Sequence, residues 1–295
     1  MHATPLVLDF DASAGTPLGS IVVPLADWHQ RIRFGCSLRT FDALRRHVLP
    51  LLPRDAGPVL TGSGDFHHAS LLLIERLADQ GPLDVVVFDN HPDNMRYPWG
   101  IHCGSWVAHV ARLPLVRHVQ VMGITSNDVS LSHALENRLV PLWRGRVSYW
   151  CIGRDARWAR WSGLKGVIRS FASAEQMLDA FAAQQASSQA PVYLSIDKDV
   201  LSTRVARTNW DQGVMDEEDL CRAIAAVSSR LVGCDITGDL SAARYEARWK
   251  RWLSQLDGQA ELAAEQIREW QAAHHLLNDR LIVALQTLQT RRATH

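Results

Sequence analysis

Acidic and imidazole side chains follow one apolar segment of the sequence at alternating positions. The run from Val85 to Phe88 is β-branched and apolar, as buried strands are, and Asp89, His91 and Asp93 come directly after it. Alternate side chains of an extended chain point to the same side, so these three could meet beyond the strand and bind a metal ion. Turns after strands also use Asp, Asn and Pro, so the motif alone leaves both interpretations open.

A second apolar segment ends in the same way. Val192 to Ile196 is followed by Asp197, Lys198 and Asp199, in which the two carboxylates share one side. Ligands of open α/β sheets bind beyond the carboxyl ends of the strands, so we expect both acidic ends to face one crevice. Four ionised carboxylates would raise each other's pKa unless positive charge balanced them, and two divalent cations would do so. Mostly oxygen ligands with some imidazole favour manganese over iron, zinc or nickel.

Histidines supply the remaining candidates for this site. A glycine-rich turn, Thr61 to Asp65, follows a third predicted strand and leads to His67 and His68. Paired histidines at the end of a strand favour a role as metal ligands, and the spacing does not decide between the two. His102 lies in a loop between two glycines, close in sequence to the acidic cluster, and is therefore a candidate proton carrier.

The composition indicates a globular protein that acts on a small molecule. The chain has 295 residues, 47% of them hydrophobic, and its 31 basic residues equal its 31 acidic ones, which gives no sign of a nucleic-acid or anionic membrane partner. The five cysteines form no Cys-x-x-Cys pair, which argues for a reducing compartment. No signal-type N-terminus or apolar run of about 18 residues is present. We therefore expect a cytoplasmic protein.

Predicted strands and helices alternate along the chain. The strands lie near 6–10, 21–25, 58–60, 83–88, 117–123, 147–152, 192–196 and 231–236, with helices predicted between them, including one over 130–139. This alternation predicts an α/β fold with a mostly parallel central sheet covered on both faces. Helices are also predicted over 242–256 and 260–290, and the second is typical of a packing or oligomer element, so we expect a homo-oligomer.

The combined motifs over residues 58–241 resemble those of the ureohydrolase superfamily, the arginases and agmatinases. The glycine-rich turn is similar to the family's Gly-Gly-Asp-His, Asp89 to Asp93 to its Asp-Ala-His-x-Asp, and Ser195 to Asp199 to its Ser-x-Asp-x-Asp. His102-Cys103-Gly104 resembles the loop His-Gly whose histidine is a proton shuttle. The resemblance implies a three-layer αβα fold, a binuclear centre with two Mn²⁺ ions, and one domain over 1–295 with a C-terminal helical segment from about 242.

The resemblance also implies a role for each residue. Asp89 and Asp197 would bridge the two metal ions. His68 or His67, together with Asp93, would complete the ligands of one ion, and His91 and Asp199 would complete those of the other. A metal-bridging hydroxide would then attack the carbon of a guanidine or amide, while His102 passed a proton to the leaving amine. The implied reaction is hydrolysis of a linear C–N bond other than a peptide bond.

The sequence departs from the family pattern around the substrate. Ser202-Thr203 replaces an Asp-Pro, and Asn209-Trp210-Asp211 replaces a Gly-Thr-Pro stretch. The position of the carboxylate that holds the guanidinium in arginases is Gly238, and Asp239, one residue further on, is the candidate for that role. Two alternatives follow. One is a non-catalytic metal-binding relative; the other is a binuclear metallophosphoesterase, which the order of the motifs and the lack of a Gly-Asn-His triplet disfavour.

Overall fold

A parallel sheet of nine strands forms the centre of the computed structural model, which describes residues 4–53, 55–251 and 264–290. In chain order the strands are β1 (Leu6–Asp9), β2 (Ile21–Pro24), β3 (Gly35–Cys36), β4 (Val59–Gly62), β5 (Leu83–Phe88), β6 (Ile101–His102), β7 (Val116–Ile124), β8 (Val147–Ile152), β9 (Ile168–Phe171), β10 (Val192–Asp197) and β11 (Leu231–Thr237). The sheet order is β2-β1-β4-β11-β10-β5-β7-β8-β9, and each neighbouring pair is parallel. Strands β3 and β6 form a separate antiparallel pair.

Helices cover both faces of this sheet. In chain order they are α1 (His29–Ile32), α2 (Leu38–Val48), α3 (Ser70–Glu75), α4 (Trp106–Val110), α5 (Leu139–Trp143), α6 (Ala174–Ala186), α7 (Glu217–Val227) and α8 (Ala264–Thr290). Apolar side chains of α1 to α5 pack in one core, and those of α6 to α8 pack in another. Strand residues alternate between the two: Val85 and Val87 face the first core, and Val86 and Phe88 face the second. The predicted αβα architecture with a parallel sheet is confirmed.

Some predicted elements differ from the structure. The helix predicted over 130–139 is wrong, because turns occupy most of that range and α5 begins only at Leu139. Strand β9 was not predicted, because it is a short edge strand that carries Arg169 and Ser170 and lacks a buried apolar run. Of the helix predicted over 242–256, residues 248–251 are helical and 252–256 lie outside the described residues. Within the described ranges, no helix is both long and apolar enough to cross a lipid bilayer.

The strand order determines where the functional residues meet. Strand β10 lies between β5 and β11, and β4 lies on the other side of β11. Because all four are parallel, their carboxyl ends share one edge of the sheet. The segments that follow β4, β5 and β10 carry the candidate ligands, so the fold brings together residues that are up to about 130 positions apart in the sequence.

Candidate metal centre

One ring nitrogen of His67 lies among three carboxylates. Its Nδ1 is 3.2 Å from Asp89 Oδ2, 3.0 Å from Asp93 Oδ2 and 3.3 Å from Asp197 Oδ2. All four side chains are buried. His67 comes from a 3-10 helix, Gly64–Ala69, that follows β4, while the carboxylates follow β5 and end β10. Residues from three strand ends therefore meet around one point.

A second group of candidate ligands shares Asp89 with the first. His91 Nδ1 is 2.9 Å from Asp199 Oδ2 and 3.5 Å from Asp89 Oδ1. The potential ligand atoms of Asp89, His91 and Asp199 all lie within 4.8 Å of one another, and those of His67, Asp89 and Asp93 do as well. The two groups are therefore adjacent and share the carboxylate of Asp89.

A hydrogen-bond chain fixes which nitrogen of His67 faces the carboxylates. Ser195 Oγ donates to Asp235 Oδ1 at 2.8 Å, so the same oxygen can accept from His67 Nε2 at 2.9 Å. Tyr193 also donates to Asp235. With the proton on Nε2, the lone pair on Nδ1 points into the cluster, which is the tautomer that a metal ligand needs. Ser195 and Asp235 are opposite one another in the paired strands β10 and β11.

The backbone is adapted to the cluster at two positions. Asp93 has a left-handed conformation with φ of 46°, which is uncommon outside glycine, and Trp106 Nε1 donates to its Oδ2 at 2.6 Å. Gly238 has φ of 83°, and a Cβ atom there would lie 2.3 Å from Asp197 Oδ1. Only glycine allows the end of β11 to approach the Asp197 carboxylate this closely. Strained backbone of this kind is common at functional sites.

The four carboxylates repel one another in the structure. Burial, together with the neighbouring Asp89, raises the pKa of Asp93 to about 7. Burial likewise raises the pKa of Asp197 to about 6, and it raises that of Asp199 well above its usual range, with charges from Asp197 and Asp89 adding to the effect. Burial alone would raise the pKa of Asp89, yet the neighbouring imidazoles of His67 and His91 lower it below its usual range. Positive charge in the cluster would remove this repulsion.

The cluster has the donor set that divalent cations require. His67 Nδ1 and Asp89 Oδ2 are buried and make no well-directed hydrogen bond, although they lie 3.2 Å apart. Buried polar atoms of this kind normally have a partner, and a cation between them would supply one. Four carboxylates and two imidazoles, with no thiolate among them, favour a hard or intermediate ion. The residues present therefore fit a pair of divalent ions.

Asp211 holds the outer nitrogen of His91. Its Oδ1 is 2.6 Å from His91 Nε2, and its Oδ2 accepts from Asn90 Nδ2 at 3.1 Å. Burial alone would raise the pKa of Asp211, yet the hydrogen bond with His91 lowers it overall. A carboxylate on Nε2 leaves Nδ1 directed at Asp199 and Asp89, in the arrangement that commonly orients a metal-ligating histidine.

A cavity of about 510 Å³ opens above the cluster. Aromatic rings form part of its wall: Phe34 stacks on Trp210 with centroids 6.2 Å apart and on His102 at 5.7 Å. Acidic side chains from the segment after β7, Asp128 and Glu136, line another part. The cavity can therefore accept a small planar group with positive charge.

His102 contributes to this wall with its imidazole ring. The backbone N–H of Gly104 donates to His102 Nδ1 at 2.8 Å, which places the proton of the neutral ring on Nε2. Burial lowers the pKa of His102 to about 3, with a small contribution from His109. At neutral pH the ring is therefore uncharged and can donate a hydrogen bond through Nε2.

Two residues proposed for the site from the sequence lie elsewhere. The ring of His68 packs against Phe41 with centroids 5.9 Å apart, and neither of its ring nitrogens has a hydrogen bond to a carboxylate of the cluster. The carboxylate of Asp239 forms a buried ion pair with Lys198 and accepts from Asn278 Nδ2 at 3.1 Å. Neither residue lines the cavity, so the structure brings His67 and not His68 to the cluster and turns Asp239 away from the cavity.

Three supporting residues were missed in the sequence: Trp106, Asp211 and Asp235. Each acts through a ligand candidate, and each lies in a segment whose own pattern carries no metal-site motif. The sequence did contain an indication for Asp235. It is an acidic residue in an apolar strand, and a buried carboxylate needs a hydrogen-bond or ion-pair partner. The polar loop that contains Asp211 was expected to form a wall of the pocket, and Asp211 does line the cavity, but its contact with His91 has no signal in the sequence.

Comparisons with known proteins agree with the fold. No family model matches the chain. A protein of Thermotoga maritima described as uncharacterized is 26% identical over 214 residues, covering 68% of this chain and 69% of that protein. The structure of proclavaminate amidino hydrolase from Streptomyces clavuligerus has 16% identity and a TM-score of 0.56, covering 99% of this chain and 93% of that one. Formimidoylglutamase from Bacillus subtilis has 16% identity and a TM-score of 0.54, covering 96% and 87%.

Proposed function

We propose that this chain, which has the fold of the ureohydrolase superfamily, is a metal-dependent hydrolase of linear, non-peptide C–N bonds in amidines or guanidines. The observation that carries the proposal is the contact of His67 Nδ1 with three carboxylates, with His91 and Asp199 beside them. Solved structures of similar fold include an amidino hydrolase and a formimidoylglutamase, both named for substrates with a C–N bond of this kind.

The side-chain geometry supports one assignment of the metal ligands. His67 and Asp93 would complete one ion, His91 and Asp199 the other, with Asp89 and Asp197 shared between them. Manganese is the leading candidate because oxygen donors predominate. When bound, divalent ions lower the pKa of water and so supply a nucleophile near neutral pH. Ser195 and Asp211 hold the two imidazoles in place for this task.

The cavity favours a cationic substrate over a neutral amide. Amidines and guanidines are planar and positively charged near neutral pH, and the lining includes the carboxylates of Asp128, Glu136 and Asp211. Trp210 and Phe34 offer flat faces against which such a group can stack. Trp210 Nε1 is buried without a hydrogen-bond acceptor, so it can donate to a polar atom of the substrate.

His102 would act on the leaving group. Its neutral ring can donate a hydrogen bond from Nε2–H to the departing nitrogen, which would take its proton from the attacking water and not from the ring. Asp239 does not line the cavity and instead forms an ion pair with Lys198. Because Lys198 lies in the chain between Asp197 and Asp199, this ion pair would hold the segment that carries both ligands in place. The substrate would then be selected by the aromatic and acidic wall and not by a carboxylate at position 239.

Metal analysis combined with a substrate panel tests this proposal. We expect manganese-loaded protein to release urea or ammonia from at least one guanidine or amidine, and Asp197→Asn to abolish the release. A protein that binds two ions and turns over nothing in a broad panel would be a non-catalytic metal-binding relative. Hydrolysis of p-nitrophenyl phosphate esters in place of amidines would indicate a metallophosphoesterase.

A further inference from the structure

A basic surface groove lies between the end of α4 and α5, apart from the metal cavity. Its volume is about 890 Å³, and its lining includes the apolar residues Ala111, Leu139, Val140 and Pro141. Five arginines complete the lining: Arg96, Arg112, Arg138, Arg144 and Arg146. Within the described part of the chain, no acidic residue lines this groove. We call this surface the arginine groove.

The charges of the arginine groove lack neutralising partners among the lining residues. Arg146 donates to the backbone carbonyls of Ala111 at 2.9 Å and Leu113 at 3.2 Å, and these carry no net charge. The Nε of Arg138 is buried and makes no hydrogen bond. Burial lowers the pKa of Arg138, and the positive charges of Arg112 and Arg96 lower it further, so these three side chains lie close enough to repel one another.

Clustered guanidinium groups of this kind match a multiply charged anion. Each guanidinium presents several N–H donors in one plane, which suits the paired oxygens of phosphate and carboxylate groups. An anion would also relieve the repulsion among Arg96, Arg112 and Arg138. We propose that the arginine groove binds a small polyanion bearing phosphate or carboxylate groups.

The arginine groove lies on the back of one wall of the metal cavity. Met95 forms an antiparallel bridge with Asn137, and hydrogen bonds join Arg96 N to Glu136 O at 2.8 Å and Arg138 N to Asn94 O at 2.9 Å. Met95 and Glu136 line the metal cavity, whereas Arg96 and Arg138 line the arginine groove. The polyanion would therefore bind outside the substrate cavity, and its binding does not depend on the proposed hydrolysis.

Calorimetry on metal-free full-length protein tests this site. Pyrophosphate and citrate are the probes, and metal is removed first because both probes chelate divalent ions. We expect saturable binding of one probe molecule per chain that weakens as salt is added. The double variant Arg112→Ala/Arg144→Ala should weaken it about tenfold or more, since hydrogen bonds between charged groups are lost. Arg39→Ala removes an exposed arginine from α2 and is the matched control.

The choice of probes identifies the preferred chemistry. Tighter binding of pyrophosphate than citrate would indicate a phosphate-bearing ligand, and the reverse order a carboxylate-bearing one; both results support the proposal. Absence of binding by either probe, or binding that Arg112→Ala/Arg144→Ala leaves unchanged, would overturn it. The double variant could instead bind both probes as the native protein does and differ from it in the molar mass measured by light scattering. That result would show that the groove is a contact between copies of the chain, and it would also overturn the proposal.

Discussion

The hydrogen bond between Asp211 and His91 gives a prediction about metal affinity. Asp211 Oδ1 lies 2.6 Å from His91 Nε2, a short distance typical of a bond with an ionised partner. Asp211→Asn removes the charge, and Asp211→Ala removes the acceptor as well. Either change leaves the His91 ring less basic and less well oriented, while all six candidate ligands remain. The expected consequence is weaker binding of the ion that His91 would hold.

The size of this effect follows from the exposure of Asp211. Loss of a carboxylate behind a metal-ligating histidine typically weakens metal binding about 10- to 100-fold. The side chain of Asp211 is 58% exposed, so water replaces part of the lost interaction and screens the charge. We therefore expect the lower end of the range for Asp211→Asn, about tenfold, which corresponds to about 1.4 kcal/mol. Asp211→Ala should cost at least as much.

Titration of manganese into metal-free protein, followed by calorimetry near neutral pH, measures this effect directly. Asp128→Asn is the matched control, because Asp128 lines the same cavity and its carboxylate accepts from Ser126 Oγ at 2.9 Å instead of from a candidate ligand. The control should change the affinity by no more than about twofold. Equal losses in the Asp128 and Asp211 variants would show a general charge effect, and unchanged affinity in Asp211→Asn would refute the orienting role.

Other substitutions test other parts of the site. His67→Gln should lose bound manganese, whereas His68→Gln should keep it, because of these two rings only that of His67 contacts the carboxylates. Retention of metal in His67→Gln would contradict this assignment. His102→Ala should lower turnover and leave the metal content unchanged, as measured by elemental analysis; loss of metal would refute its role. Gly238→Ala should lower the free energy of unfolding by about 1–3 kcal/mol and displace Asp197, because its φ of 83° suits glycine; unaltered urea unfolding would count against this. In metal-free protein, His102 should lower the free energy of unfolding by about 2 kcal/mol as the pH falls from 6.5 to about 5. The reason is that His102 has a pKa of about 3 in the folded state and therefore binds a proton more weakly there than in the unfolded chain. A pH profile of stability that is identical in His102→Gln would contradict this prediction.

Much of the candidate site could be predicted because strands impose a simple rule. The carboxyl ends of parallel strands share an edge, so the acidic residues that follow β5 and end β10 could be placed together from the sequence. The expected extended chain beyond these strands is wrong, because Asp93 has a left-handed backbone and Asp199 lies in a 3-10 helix, Lys198–Val200. The alternation of predicted strands and helices predicted the parallel sheet, and the complete burial of β5 agrees with it.

The choice between His67 and His68 could not be made in this way. Both lie in a 3-10 helix, Gly64–Ala69, where adjacent side chains point about a third of a turn apart. Which ring faces the carboxylates depends on where that helix begins. Ser63 sets this point, because its Oγ accepts from Asp65 N at 3.3 Å. A one-residue shift in the start of the helix would place His68 where His67 lies, and the sequence does not determine that start.

The position of Asp239 depended on one turn of the backbone. Strand β11 ends at Thr237, and Gly238 then adopts a left-handed conformation that redirects the next side chain. Asp239 consequently reaches Lys198 and Asn278 and not the cavity. Asn278 belongs to α8, about 40 residues further along the chain, so no local pattern could have indicated this network. The loop contact of Asp211 with His91 is a long-range feature of the same kind.

Elemental analysis of purified protein after incubation with manganese and exhaustive dialysis tests the central claim most directly. We predict close to two manganese ions per chain in the native protein and a strong loss in Asp89→Asn, since that carboxylate lies between the two groups of ligands. Native protein that retains no divalent metal, or an Asp89→Asn variant that retains the full amount while remaining folded, would contradict it.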